Sequence, residues 1–233
     1  MRRIAIIPAR GGSKRIPRKN IRPFMGAPMI SYPIKVALQS GLFDKVVVST
    51  DDEEIAEIAR QYGAEVPFLR SSKNSDDFSG TGDVMLEVLD KLESRGDCYE
   101  QACCIYATAV LLSMEFLVET LRFFESEIFD VVFPVIAFST PIERALSRSD
   151  EGRLSSYFKN DNIKRSQDFK VAYYDSGSLY WFIPENLKNL SNKNLFGKNR
   201  GGMVVDEVYC QDIDNLVDIK MAEIKYRFLN KQS

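Results

Sequence analysis

Short apolar runs of strand length alternate with stretches in which apolar residues recur at helical spacing, and this alternation runs through most of the chain. Residues 3–9 form the first run, and 28–42 has a helical span closed by Gly41, so the polar segment between them joins a strand to a helix. Residues 45–50 read as the next strand. Asp51 or Asp52 then caps a helix with acids in its first turn and Ile55, Ile58, Ala59 and Tyr62 on one face, ending at Gly63. Further strands are predicted over 64–69, 102–107 and 130–138, with helices over 81–95 and 113–126. This β-α-β-α order predicts an α/β fold with a largely parallel sheet and helices on both faces. From 141 to 174 the pattern lapses into a stretch rich in Ser, Asn, Asp and Lys, too long for an ordinary loop, and it is read as a lid or a dimer-forming excursion. Strands resume over 178–183 and 203–210. A final helix after Asp214 carries Val217, Met221, Ile224 and Phe228 on one stripe, which is expected to seal the core. The run Tyr180-Trp181-Phe182 reads chiefly as strand packing, with one ring at the site as the alternative.

Composition narrows the class. A chain of 233 residues with 45% hydrophobic and 27% charged residues is ordinary globular material, read as one domain over 1–233 with 141–174 as its excursion. Its apolar runs fall far short of the roughly 18 residues needed to cross a membrane, so no membrane partner is expected. Met1-Arg2-Arg3 before Ile4-Ala5-Ile6-Ile7 has a leader-like start, but Pro8 ends the run and a basic segment follows, which favours a first strand. Cys98, Cys103, Cys104 and Cys210 show no C-x-x-C spacing, so reduced thiols in a cytoplasmic protein are expected. The chain has no histidine, which removes Ser-His-Asp, Cys-His and histidine-base chemistry. Carboxylates, lysines, arginines, hydroxyls or an oxygen-held metal must do the work.

Charge is unevenly spread. Positions 2, 3, 10, 14, 15, 18, 19, 22 and 35 are Lys or Arg, and no Asp or Glu precedes Asp44, so this end should attract an anion. The segment Arg10-Gly11-Gly12-Ser13-Lys14-Arg15-Ile16-Pro17-Arg18-Lys19-Asn20 follows the first strand, where open α/β sheets bind ligands. Adjacent glycines let amides approach a phosphate and the cations neutralise it. The spacing is neither a P-loop nor a G-x-G-x-x-G fingerprint. A solvated turn or an arm for nucleic acid is the alternative, but a pI near 5.5 disfavours nucleic acid. Near the other end, Asp212-Ile213-Asp214 places two carboxylates on one side of an extended segment, a pair suited to Mg²⁺; Asp214 as a simple helix cap is the bland reading.

The opening R-G-G-S-K-x-I-P-x-K-N, the D-I-D-x-x-x-D of 212–218 and the spacing between them resemble the cytidylyltransferases that activate acidic sugars, the CMP-sialic acid synthetase type. The stretches Ile105-Tyr106-Ala107-Thr108-Ala109, Arg165-Ser166-Gln167-Asp168 and Asp175-Ser176-Gly177-Ser178-Leu179-Tyr180-Trp181 resemble the pseudaminic acid branch of that family. The resemblance implies a Rossmann-like, three-layer nucleotide-diphospho-sugar transferase fold, CTP and a nine-carbon sugar acid as substrates, Mg²⁺ as cofactor, and a homodimer. It implies triphosphate contacts at Arg10, Gly11, Gly12, Ser13, Lys14 and Lys19, nucleoside contacts at Asn20, Arg70 and Ser79, and the metal on Asp212 and Asp214. Tyr106, Thr108, Arg144, Arg165 and Gln167 fall to the sugar, with the two arginines as partners for its carboxylate. Tyr106 stands where sialic acid enzymes resemble one another in carrying glutamine. Val110 stands where relatives usually have proline, and Ser71-Ser72-Lys73-Asn74 replaces their Arg-Pro-x-Glu-Leu.

The expected reaction is attack of the sugar's anomeric hydroxyl on the α-phosphorus of CTP, with Arg10, Lys14 and Lys19 neutralising pyrophosphate and Asp214 among the catalytic groups. The proton acceptor is left open between a metal-bound hydroxide and one of the aspartates. Legionaminate, neuraminate and 3-deoxy-manno-octulosonate are the alternative sugars. A GT-A glycosyltransferase, whose D-x-D normally lies mid-chain, and a non-catalytic nucleotide-binding regulator are the alternatives of other classes.

Overall fold

The computed structural model describes residues 1–75, 80–126, 129–158, 169–189 and 199–231. Strand β1 (Arg3–Pro8) leads into the basic loop, which holds a short 3-10 turn at Lys19–Ile21 and a small ribbon of β2 (Pro23–Phe24) and β3 (Ala27–Pro28). Helix α1 (Ser31–Gln39), strand β4 (Lys45–Ser49), helix α2 (Glu53–Gln61), helix α3 (Thr81–Glu93), strand β5 (Gln101–Ile105), helix α4 (Met114–Ser126) and strand β6 (Val131–Ala137) follow. Then come β7 (Leu146–Arg148), β8 (Leu154–Ser156), β9 (Tyr173–Asp175), β10 (Leu179–Phe182), helix α5 (Pro184–Lys188), β11 (Arg200–Val204) and helix α6 (Leu216–Asn230).

The central sheet has the order β11-β6-β10-β5-β1-β4, with β9 on β6. β1 pairs in parallel with β4 and β5, β11 pairs in parallel with β6, and β10 lies antiparallel between β5 and β6. Strands β1, β4, β5, β6 and β11 therefore share one direction, as the alternation predicts. Side chains of β1 divide by period two: Ala5 and Ile7 face the layer of α1, α2 and α4, while Ile4 and Ile6 face α3 and α5. The aromatic run obeys the same rule. Trp181 is fully buried on the first face, donating to Thr120 Oγ1 at 3.0 Å and stacking between Phe43 and Phe124, whereas Tyr180 and Phe182 enter the second.

Three expectations are corrected. Residues 64–69 make only a single bridge, Val47 to Glu65, because Pro67 has no N–H and the chain turns away to the Arg70 amide bond with Thr50 O at 2.7 Å. The last strand lies over Arg200–Val204; beyond it Asp206 caps a 3-10 turn, Glu207–Tyr209, by accepting from Val208 N. Val217, Met221, Ile224 and Phe228 of α6 are exposed rather than buried, and the helix seals with its other face, through Ile219 and Ala222. Those two join Ile16, Phe24, Met29, Val110, Leu111 and Ile213 in a third core, and Tyr226 meets Phe24 and Tyr32 edge to face at 5.6 Å. Asn215 starts α6 with a reciprocal capping box to Asp218.

Ile213 has no exposed surface, so Ile213→Ala should leave a void and lower stability by about 2–5 kcal/mol in urea unfolding. An unchanged midpoint would show that the third core does not depend on it.

Candidate functional site

The third core brings the two ends of the sequence together. Ile16 in the opening loop and Ile213 between the two aspartates are both fully buried in it, and Lys19 Nζ donates to Ile213 O at 2.5 Å. With Ile213 turned inward, Asp212 and Asp214 turn outward on one side, as an extended D-I-D requires. The two motifs face one another across a cavity of about 610 Å³, within the range of small-molecule sites, at the carboxyl ends of β1 and β5. Arg10, Ser13, Lys14, Lys19, Asn20, Arg70, Tyr106, Thr108, Asp212 and Asp214 all line it. Lys14 and Asp212 therefore share one space.

Gly11 has a different use from the one its position predicts. Its amide donates to Asp51 Oδ1 at 2.9 Å, and a Cβ there would stand 2.7 Å from Asp52 Oδ2. Glycine is needed at this position for packing against the start of α2, and the Gly11 amide is committed to the Asp51 carboxylate rather than turned to a ligand phosphate. Gly12 has open space around it. Arg18 is bound to Asp52 and Glu54, which hold the loop to α2 and keep the Asp52 carboxyl below the usual carboxylate range, chiefly through the Arg18 hydrogen bond. Asn20 is buried and donates to Arg10 O at 3.0 Å, fixing the loop's first turn.

Arg70 is buried at the end of β4, where its guanidinium donates to Ser49 Oγ at 3.1 Å and to Ser49 O. Burial lowers its pKa from the ordinary arginine value. The following turn, Ser72–Asn74, is organised by Glu87 of α3, which accepts from Ser71 N at 2.8 Å, Ser71 Oγ at 2.9 Å, Asn74 Nδ2 at 2.6 Å and Lys91 Nζ at 2.6 Å. This is how Ser71-Ser72-Lys73-Asn74 is held in place, and it puts Asn74 on the cavity wall. Val110 is likewise built in: it is buried in the third core and its amide donates to Thr108 O at 2.8 Å, a bond proline could not make.

The aspartate pair is electrostatically strained. Partial burial and then repulsion from Asp214 raise the Asp212 carboxyl, with Lys19 opposing. Arg15 Nη1 stands 2.7 Å from Asp214 Oδ2 and Lys19 Nζ 3.7 Å from Oδ1. Gly177, at φ 65°, approaches Asp212 so closely that a Cβ would stand 3.3 Å from its Cγ. No cluster of three or more His, Cys, Asp or Glu side chains able to hold a metal occurs among the described residues, so a cation here would take two carboxylates and complete its shell from water and phosphate. That donor set fits magnesium.

Arg144 lies on an exposed 3-10 turn, Ile142–Arg144, and is not among the cavity-lining residues. Ser79, Arg165 and Gln167 lie outside the described residues. Sequence reasoning did not nominate Arg15, Asn74, Thr81 or Val84, which also line the cavity. Arg15 had a signal in the basic run, whereas Thr81 reads only as a helix start. Cys103, Cys104 and Cys210 are buried and Cys98 is exposed, all as free thiols; burial raises the three buried thiols, Cys210 to about 11. No described helix is long and apolar enough to cross a membrane.

Burial alone would raise the Glu87 carboxyl, but the bonds from Lys91, Ser71 and Asn74 overcome it and hold the group at about 2. A depressed carboxyl contributes stability above its unfolded value that is lost as pH falls through the folded one. Glu87→Gln should therefore lose about 1–3 kcal/mol at pH 7 and show a flatter stability profile between about pH 4.5 and 2 in acid unfolding. An identical profile in both proteins would refute the assignment.

A family model described as cytidylyltransferase matches residues 4–225. The pseudaminic acid cytidylyltransferase of Campylobacter jejuni is 39% identical over 97% of this chain and 97% of its own. The CMP-N,N'-diacetyllegionaminic acid synthase of the same organism is 34% identical over 94% of this chain and 93% of its own. A solved structure of CMP:2-keto-3-deoxy-manno-octonic acid synthetase complexed with CTP superimposes with a TM-score of 0.69 at 17% identity, covering 99% of this chain and 100% of that one, which shows the three-layer nucleotidyltransferase fold. With a match over nearly its whole length and the basic loop facing the D-I-D pair, the chain belongs to the cytidylyltransferase family.

Proposed function

We propose that this enzyme transfers the cytidylyl group of CTP to a nonulosonic acid, with pseudaminic acid the favoured substrate. The observation that carries the reading is the cavity in which Arg10, Lys14 and Lys19 face Asp212 and Asp214. A triphosphate is an anion that also carries a divalent cation, so one ligand satisfies both sets of charges. The sugar is assigned from the two Campylobacter jejuni pseudaminic acid cytidylyltransferases, 39% and 37% identical, against 34% for the legionaminic acid enzyme.

In the proposed step the sugar's anomeric oxygen bonds to the α-phosphorus, the bond from that phosphorus to the bridging oxygen of pyrophosphate breaks, and the hydroxyl proton is released. Arg10, Lys14 and Lys19 hold the leaving pyrophosphate, and fixed positive charge in a partly enclosed site stabilises it with little reorganisation. Asp212 and Asp214 would hold a magnesium ion, which supplies Lewis-acid stabilisation of the phosphoryl oxygens. Arg15 is paired with Asp214 and would compete with the ion for that carboxylate. Arg165 and Arg144 are proposed for the sugar carboxylate, with Arg144 needing the excursion to move toward the cavity.

The same reading includes a homodimer formed through the excursion, in a cytoplasmic enzyme. β7 and β8 make a ribbon of their own, with Leu146 and Leu154 exposed on it and Tyr157 and Phe158 exposed just after it. Apolar side chains gathered in this way fit a protein interface.

Pyrophosphate release should be measured with CTP and a panel of pseudaminic, legionaminic, neuraminic and 3-deoxy-manno-octulosonic acids. Turnover is expected to be fastest with pseudaminic acid; a preference for another acid would move the substrate, and no release with any would remove the activity. Asp214→Ala should stay folded and lose on the order of a hundredfold in turnover. Near-normal turnover would remove the metal role.

A further inference from the structure

A cation faces each oxygen of the Asp214 carboxylate: Arg15 Nη1 stands 2.7 Å from Oδ2, and Lys19 Nζ lies 3.7 Å from Oδ1. The two are held in different ways. Lys19 donates to Ile213 O at 2.5 Å and has 20% of its side chain exposed, so it is part of the joint between the two motifs. Arg15 has 70% of its side chain exposed and can turn without disturbing the core beneath it. Both line the cavity, and Arg15 follows Lys14 directly in the basic loop.

A guanidinium keeps its charge at any physiological pH, and its planar fork accepts a carboxylate or a phosphate equally well. A magnesium ion needs a carboxylate oxygen in its inner shell, at about 2.0–2.1 Å, so Arg15 and an ion exclude one another at Asp214 Oδ2. A triphosphate in the cavity would offer Arg15 a second anion within reach of the same side chain. Lys19 has no such freedom. Arg18 cannot take over the place either, because it is bound to Asp52 and Glu54 at the start of α2.

We propose that Arg15 is a placeholder cation, which holds Asp214 until a nucleoside triphosphate draws it away, so that the carboxylate opens to a divalent ion only when the nucleotide arrives. The proposal rests on the reading of the function given above and assigns a control to the same site. Its consequence is a coupling: Arg15 makes the ion and the nucleotide strengthen one another, by a factor that is the same whichever binds first. The basic loop thus contributes two kinds of cation. Lys19 is fixed in place, and Arg15 exchanges one anion for another.

The test uses the full-length protein without any sugar acid, so it does not depend on turnover. Mn²⁺ binding to the nucleotide-free protein is followed by loss of the free-ion electron paramagnetic resonance signal. Arg15→Gln should bind Mn²⁺ about fivefold more tightly than wild type, the upper end of what an exposed ion pair provides. Arg15→Lys, which keeps the charge, and Arg22→Gln, which removes a charge from the same segment, should each stay within about twofold. CTP affinity is then measured by calorimetry in EDTA and in saturating Mg²⁺, and the factor by which Mg²⁺ tightens CTP should be about threefold or more smaller in Arg15→Gln than in wild type. Unchanged Mn²⁺ affinity in Arg15→Gln, an equal tightening in Arg15→Lys or Arg22→Gln, or an unchanged Mg²⁺ factor would each overturn the inference while leaving the cytidylyltransferase reading intact. A wild-type protein that binds CTP but no divalent ion would remove the metal role and this inference with it, whereas the reading of the function fails separately, on the panel of sugar acids.

Discussion

The joint between Ile16 and Ile213 is the constraint on which the site depends. Both side chains are fully buried in the third core, and Lys19 reaches across to the carbonyl of Ile213. A basic loop with no acid before Asp44 would repel itself, and a pair of aspartates two residues apart does the same. Neither segment has an electrostatic reason to hold its shape alone. Apolar burial, worth about 25 cal/mol per Å², gives each a place independent of charge, and once placed they face each other. Helix α6 completes the joint with Ile219, Ala222 and Tyr226, so the last element of the fold serves the first loop.

Around that joint, carboxylates divide into two kinds. Asp51, Asp52 and Glu87 are tied to the loops they shape, taking the Gly11 amide, the Arg18 guanidinium and the Ser71–Asn74 turn. Asp212 and Asp214 lie against the cavity, repel each other and are answered by Lys19 and Arg15. The first kind is already satisfied and holds shape. The second is incompletely balanced, and a cation brought in with a triphosphate would complete it.

Much of this was legible from the chain itself. The order of strands and helices, the basic character of residues 10–22, the outward pairing of Asp212 and Asp214 and the buried place of Trp181 all follow from side-chain period and residue type over a few positions, which backbone geometry dictates locally. Tertiary structure decided which groups are already committed. The Gly11 amide belongs to Asp51, 40 residues away, Trp181 donates to Thr120, 61 residues away, and α6 buries Ile219 and Ala222 instead of the stripe through Val217 and Ile224. A hydrogen-bonding group or an apolar face has many eligible partners along a chain, and only the packing of distant segments selects one.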